Sequence, residues 1–289
     1  MRISFKTTPQ HTTWEAMRDL WREADAVEVF DAGWTFDHFY PLRDDPHGPC
    51  LEGWTVTTAL GMATNRLRFG VMVVGNTYRH PAVLANMAAA LDQVSGGRLE
   101  LGLGAGWHQE EHDAYGMVLP PLRERFDRFD EALEVLDLLL TQEVSDFEGR
   151  YYQLRNARCE PKGLQIPRPP LVIGGKGERR TLRSAARWAD QWNYPGGDPA
   201  EFRRLVGVLH EHCARLGRDP TTIETSTQIR YTSPGEAADL AAAYGNAGAG
   251  HVVVNLPPPY DPAILAPLAA ALAPLKRLAD RARWRWRSP

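Results

Sequence analysis

The sequence predicts an α/β fold, specifically a closed (β/α)8 TIM barrel, on three observations. Short apolar runs suited to buried strands alternate with amphipathic helical stretches, which is the pattern of a parallel sheet. Eight such strands can be counted in a chain of 289 residues, the size and number that suit eight βα units. No shift of composition marks a second domain, so residues 1–289 read as one. An open doubly wound sheet is the runner-up. It would carry phosphate-binding glycines after its first strand, and the sequence has none there.

Residues 2–7 (RISFKT) form the first strand. Thr12 or Thr13 can cap the helix that follows, which carries Trp14, Met17, Leu20, Trp21 and Ala24. Residues 34–39 (WTFDHF) read as the second strand, 41–53 as a loop and 54–63 as the second helix. The third strand, 67–74, ends at Gly75-Asn76-Thr77. Pro81 then opens a helix where a missing N–H costs least, with Leu84, Met87, Leu91 and Val94 on one face. Ser95-Gly96-Gly97 precedes the fourth strand, 98–103, which empties into Gly104-Ala105-Gly106. Leu122, Phe126, Phe129, Leu133, Leu136 and Leu140 recur at alternating spacings of four and three, the clearest amphipathic helix in the chain. A small hairpin excursion around Gly149 covers 146–161.

The fifth strand, 171–173, runs into Gly174-Gly175-Lys176-Gly177 and a helix through Leu182, Ala185, Ala186 and Ala189. After the strand 190–194, Asp198 caps a helix with Pro199 in first position, its apolar face formed by Phe202, Leu205, Leu209 and Leu216 and its end set by Gly217. A strand over 223–231 leads to the capping box Ser233-Pro234-Gly235-Glu236. The last strand is 251–256. Asp261-Pro262 begins the final helix, which Pro267 and Pro274 should bend or split.

Lys plus Arg is 33 and Asp plus Glu is 36, a net charge of −3 that leaves no electrostatic footprint for nucleic acid. The basic, aromatic stretch 281–289 (RARWRWRSP) reads as a surface tail. Cys50, Cys159 and Cys213 are odd in number and far apart, which argues for a reducing cytoplasm and against a disulfide framework. The sequence shows no signal region before the first strand and no apolar run of membrane-spanning length, so the expected setting is cytoplasmic, with a small-molecule substrate and no membrane partner.

In such a barrel the functional end is the C-terminal end of the strands. Those ends carry Lys6, Asp37, His38, Gly75, Asn76, the 104–108 and 174–177 turns, Asn193, Tyr194, Gln228, Arg230 and Asn255. Two glycine turns in one ring suit a ligand with a phosphate or a large flat body. Gly174 to Gly177 offers backbone N–H groups, a helix N-terminus and a cation, a combination suited to phosphate. His108, Glu111 and His112 match the H-x-x-E-H pattern of inverted zinc peptidases. Those enzymes set it in a long helix, whereas Gly106 and Gly116 bracket a short one here, so zinc ranks last and no metal is expected. Neighbours on a strand point to opposite faces, so Asp37 and His38 need not touch. Phe36, Phe39 and Tyr40 supply flat apolar walls beside His38, which favours His38 facing a ligand.

Five segments in order, DHFYP (37–41), GNTYRHPAVLANMAAALD (75–92), SGGRLELGLGAGWHQEEHDAYG (95–116), RFDRFDEALEVL (125–136) and IGGKGERRTLRSAARWADQWN (173–193), resemble the luciferase-like monooxygenase superfamily. They look most like its deazaflavin (coenzyme F420) dependent oxidoreductases, over roughly residues 1 to 256. The resemblance implies a luciferase-like (β/α)8 barrel with F420, or alternatively FMN, in its mouth. Asp37 and His38 would then lie at the ring as cofactor-binding and catalytic groups. A bulge with a non-proline cis peptide would fall near Met72-Val73, with Asn76 beyond it. Gly104, Ala105 and Gly106 would pass along the ribityl chain, and Gly174, Gly175, Lys176 and Gly177 would hold the phosphate. Trp107, His108 and His112 would border the substrate, and Trp107 and Tyr115 favour a flat or apolar one. Deazaflavin-dependent glucose-6-phosphate dehydrogenases carry a catalytic Glu where Trp107 stands, so their substrate does not carry over. The implied function is hydride transfer between the deazaflavin and a small organic substrate, with a homodimer and a separate flavin or F420 reductase as implied partners. The alternative is an FMN-dependent monooxygenase. A flavin-binding protein without turnover and a zinc hydrolase rank below both.

Overall fold

The computed structural model describes residues 1–276, and the stretch 281–289 lies outside the described residues. The fold is the expected (β/α)8 barrel. Strands β1 (Arg2–Lys6), β2 (Ala32–Thr35), β3 (Arg68–Val71), β4 (Val74–Gly75) and β5 (Leu101–Gly104) are followed, after a hairpin, by four more. The hairpin is β6 (Ser145–Glu148) and β7 (Gln153–Ala157), antiparallel as expected. The remaining strands are β8 (Leu171–Gly174), β9 (Gln191–Tyr194), β10 (Glu224–Arg230) and β11 (His251–Asn255). The barrel order is β3-β2-β1-β11-β10-β9-β8-β5-β4, all parallel.

The two ends of that order are halves of one strand. β3 pairs with β2, and β4 pairs with β5. Between them stand Met72 and Val73, joined by a cis peptide bond. Phe69 also bridges Leu99, so the sheet closes on itself through this interrupted strand. The interruption explains why the second strand stops at Thr35, short of the expected Phe39. Thr35 pairs with Val71, the last residue of β3, and its carbonyl accepts the Met72 N–H. Beyond it Phe36 to Tyr40 have no neighbour strand to follow, so they fold over the barrel mouth.

Helices cover the outside: α1 (Trp14–Ala26), α2 (Gly53–Met62), α3 (Pro81–Val94), α4 (Gln109–Ala114), α5 (Leu122–Thr141), α6 (Thr181–Trp188), α7 (Pro199–Leu216), α8 (Pro234–Asn246) and α9 (Leu265–Leu272). Local chemistry sets their starts. Thr13 Oγ1 accepts the Ala16 N–H, and the Glu52 carboxylate accepts those of Trp54 and Thr55. Gly217, at φ +66°, ends α7 in the left-handed conformation. α9 gives way to a 3₁₀ turn at Ala273–Leu275, where Pro274 interrupts it. Three expected face residues differ. Leu216 is exposed because Phe202, Leu205, Leu209 and Cys213 form the buried face of α7. Val94 is exposed because Ala85, Ala88 and Leu91 form the buried face of α3, and Leu122 is exposed because the first turns of α5 overhang the barrel mouth. No helix among the described residues is long and apolar enough to cross a membrane.

The main core lies between strands and helices. Inside the barrel, Ala32, Trp34, Met72, Val172 and Val253 form a smaller apolar layer. The N-terminal end is closed by charge: Arg2 meets Glu100 at 2.5 Å and Glu224 at 2.8 Å, and Arg68 meets Glu100 at 2.6 Å. Burial pushes the Glu100 carboxyl up, but the two guanidinium groups outweigh it and hold it at about 2. With that end plugged, the open end is where the C-termini of the strands converge.

Candidate active site

A cavity of about 610 Å³ opens at that end. Its floor is Lys6, Asn193, Gln228 and the Met72-Val73 bulge, and the 104–107 and 174–177 turns flank it. Phe36 and His38 form one wall; Leu122, Phe126 and Phe129 from α5 form another. The glycines of the two turns first of all accommodate the bulge. A Cβ on Gly104 would lie 2.6 Å from Val73 Cγ2, and one on Gly174 would lie 2.8 Å from Val73 Cγ1. They therefore seat Val73, and with it the cavity floor, in addition to lining the space a ligand would fill.

His38 is held in place by a carboxylate remote in sequence. His38 Nδ1 lies 2.7 Å from Glu111 Oε2, which also accepts from the Tyr78 hydroxyl at 2.5 Å. Glu111 Oε1 accepts the N–H groups of Phe39 (2.5 Å) and Tyr40 (3.0 Å). Glu111 is fully buried. Burial pushes its carboxyl up, but the hydrogen bonds from His38, Tyr78 and the Phe39 N–H prevail and hold it at about 2. An ionised carboxylate only accepts, so His38 Nδ1 carries the proton, and Nε2 is left for the cavity.

Asp37 does something else. Its oxygens take both arms of Arg79, at 2.7 and 3.0 Å, and the Gly75 N–H at 3.0 Å. Burial pushes its carboxyl up, against the pull of Arg79. Asp37 touches the cavity wall, and its carboxylate braces the loop after β2 against β4 and the loop that leads into α3.

The HQEEH run divides the same way. His108 caps α4 by accepting the Glu111 N–H at 3.3 Å, and its ring lies edge-on to Trp107 and His38. His112, expected at the substrate, is fully buried behind Tyr78: it hydrogen-bonds Thr77 Oγ1 and the His108 carbonyl, both at 2.7 Å, and stacks on the Tyr78 ring. The two histidines of the zinc-like motif therefore do not converge. It is His38, His108 and Glu111 that bring ligand atoms within 4.8 Å of one another, and the Glu111 oxygens are already occupied as described. Trp107, 61% exposed, stands at the cavity rim.

Two expected cofactor residues fall outside the cavity wall. Lys176 lies in an outer groove with Arg123, Arg179 and Arg180, its Nζ 3.5 Å from Glu201. Asn76 turns into a smaller neighbouring cavity, towards the Tyr152 hydroxyl at 3.4 Å. Gly174, Gly175, Gly177, Gly104, Ala105, Gly106, Met72 and Val73 all line the main cavity.

The sequence marks Lys6 only as a strand end; in the structure it is central to the cavity floor. Its ammonium donates to the Met72 carbonyl at 2.9 Å and to Gln228 Oε1 at 3.1 Å, and burial, with Arg43 nearby, pushes it down to about 8. Gln228 in turn donates to Asn193 at 2.8 Å. Glu111, Tyr78 and Arg79 were likewise not assigned roles from the sequence. The signal for Glu111 was its place in the polar crowd after Gly106; Tyr78 and Arg79 stand inside a segment otherwise read as a helix start. A ring the size of a flavin fits the cavity by volume, by its aromatic and aliphatic walls and by a buried cation with only neutral partners.

A model of the luciferase-like monooxygenase family matches residues 1–285. An uncharacterized protein of Mycobacterium tuberculosis is 36% identical over 176 residues, 59% of this chain and 59% of that protein. The F420-dependent glucose-6-phosphate dehydrogenase of Microbacterium testaceum is 31% identical over 205 residues, 70% of this chain and 59% of that protein. The chain thus aligns with well under two thirds of the length of these relatives. An F420-dependent secondary alcohol dehydrogenase, solved in complex with an F420-acetone adduct, is similar in fold with a TM-score of 0.82 at 19% identity, over 92% of this chain and 98% of that one.

Proposed function

The chain belongs to the luciferase-like monooxygenase family, and on that premise we propose that it is an F420-dependent oxidoreductase acting on a small organic substrate. The observation that carries this reading is His38, held by a buried, ionised Glu111 with its Nε2 left for a flavin-sized cavity. When bound, the deazaflavin gives or takes a hydride at C5. The Met72-Val73 bulge would back the ring, Gly104 to Gly106 would follow the ribityl chain, and Gly174, Gly175 and Gly177 would receive the phosphate, with Lys176 in the adjoining outer groove as the nearby cation. With Nδ1–H held by Glu111, the bare Nε2 takes the proton released when hydride leaves a substrate alcohol carbon. In the direction of reduction His38 first takes a second proton from solvent at Nε2 and passes that one to the substrate as hydride adds to its carbonyl or unsaturated bond. Trp107 closes the substrate side with an apolar ring. A cytoplasmic setting, a homodimer and a separate reductase that recycles the cofactor belong to the same proposal. A second reading, an FMN-dependent monooxygenase fed by a reductase, is favoured by the description of the matching family.

The role of His38 is tested by anaerobic single-turnover absorbance of bound F420, with substrates drawn from a panel of alcohols and enones. His38→Ala should bind F420 within a few-fold of wild type yet transfer hydride about 10²-fold or more slowly. Transfer at the wild-type rate would remove His38 from the chemistry.

A further inference from the structure

Several buried charges of the barrel have opposite charges beside them. Arg2 and Arg68 share Glu100, and Asp37 takes Arg79. Lys6 is different. It is 8% exposed on the cavity floor, its two hydrogen-bond acceptors are a backbone carbonyl and an amide oxygen, and it pairs with no carboxylate among the described residues. The acid on the same wall, Asp37, is consumed by Arg79, and the charge felt from the neighbouring loop is a second cation, Arg43. Burying an ammonium against neutral oxygens alone is strongly disfavoured, and removing it would leave a better apolar floor. An ammonium also has three N–H donors, and two are spoken for. The missing negative charge has one place to come from, the cavity that Lys6 lines.

We propose that Lys6 is the counter-charge for an anionic ring: the planar ligand seated against the Met72-Val73 bulge bears negative charge on its ring system, and Lys6 binds that charge. The inference rests on the cofactor reading above and sharpens it. A deazaflavin of the F420 type offers such charge in two places. Its outer-ring hydroxyl ionises near neutral pH, and its pyrimidine end becomes electron-rich on reduction. Oxidised FMN offers neither, since its outer ring carries methyl groups. With the hydroxyl as partner, Lys6 becomes a determinant of which ring the barrel prefers; with the pyrimidine end as partner, of which redox state it holds.

The test titrates wild type, Lys6→Met and Lys6→Gln with oxidised F420, reduced F420 and oxidised FMN, following ring absorbance and the pH at which the bound F420 hydroxyl ionises. Loss of one charge-assisted contact should weaken F420 by about 10-fold or more in both variants, while oxidised FMN changes by no more than about 3-fold. If the hydroxyl is the partner, the variants weaken oxidised F420 and ionise its ring at higher pH than wild type. If the pyrimidine end is the partner, the loss is confined to reduced F420. Either result supports the inference. Unchanged affinity for both redox states in both variants, or equal losses for F420 and oxidised FMN, would overturn it while leaving the cofactor reading intact. Failure of wild type to bind F420 at all would overturn both. Thermal melting of the ligand-free proteins controls for folding, and the variants should melt at or above wild type because the deleted charge has no acidic partner.

Discussion

Replacing Glu111 by Gln separates what this carboxylate does for stability from what it does for chemistry. The substitution keeps the shape and removes the charge that fixes the His38 tautomer. In the folded chain the carboxyl is held at about 2 instead of the usual 4.5. At about 1.4 kcal/mol per unit of pH this is worth roughly 3 kcal/mol, and about 2 kcal/mol after allowing for solvent near the cavity mouth. Because the folded value lies below the unfolded one, the stabilisation is complete above about pH 4.5 and is lost as pH falls from there through about 2. Glu111→Gln should therefore lower stability at pH 7 by about 2 kcal/mol. Between pH 4.5 and 2 it should lose less stability than wild type, so the two denaturation curves converge in acid. The assay is urea unfolding followed by tryptophan fluorescence at a series of pH values. A constant gap between variant and wild type down to pH 2 would refute the reasoning, since it would show that the ionised carboxylate is not what the fold exploits.

Two further outcomes follow from packing. Gly104→Ala places a Cβ 2.6 Å from Val73 Cγ2, so it should cost about 1 to 3 kcal/mol in thermal or chemical unfolding, and Val73→Ala in the same chain should recover most of it; a wild-type melting point in the single variant would contradict this account of the bulge. Asp37→Asn breaks a buried bidentate pair and should cost about 3 kcal/mol in unfolding while changing F420 affinity by no more than a few-fold, because its oxygens already serve Arg79 and Gly75; a large loss of affinity with unchanged stability would return Asp37 to the cofactor.

The barrel was legible in the sequence because strand and helix periodicities are local, and eight of them in order leave few topologies. Which face of a helix is buried depends on what it packs against, and that is why Val94, Leu122 and Leu216 are exposed against expectation. The site was less legible for the same reason. His38 stood out beside its aromatic neighbours, but Glu111 reaches it across 73 positions, Arg79 reaches Asp37 across 42, and Gln228 reaches Lys6 across 222. No spacing rule spans such distances. His112 illustrates the converse. It shares a motif with Glu111, yet one more residue along a short helix turns its ring behind Tyr78 and out of the cavity. The cis bond at Met72-Val73 was expected from family resemblance alone, since nothing in the residues themselves announces it.

The measurement that bears most directly on the proposed function is a paired cofactor assay on the wild-type protein. Binding of F420 and FMN is followed by fluorescence, and oxygen uptake is recorded with each cofactor in its reduced form. The account predicts saturable binding of F420, preferred over oxidised FMN by about 10-fold or more through Lys6 in at least one redox state of F420, and redox turnover that proceeds without oxygen. Oxygen-dependent turnover with reduced FMN, together with indifference to F420, would contradict it.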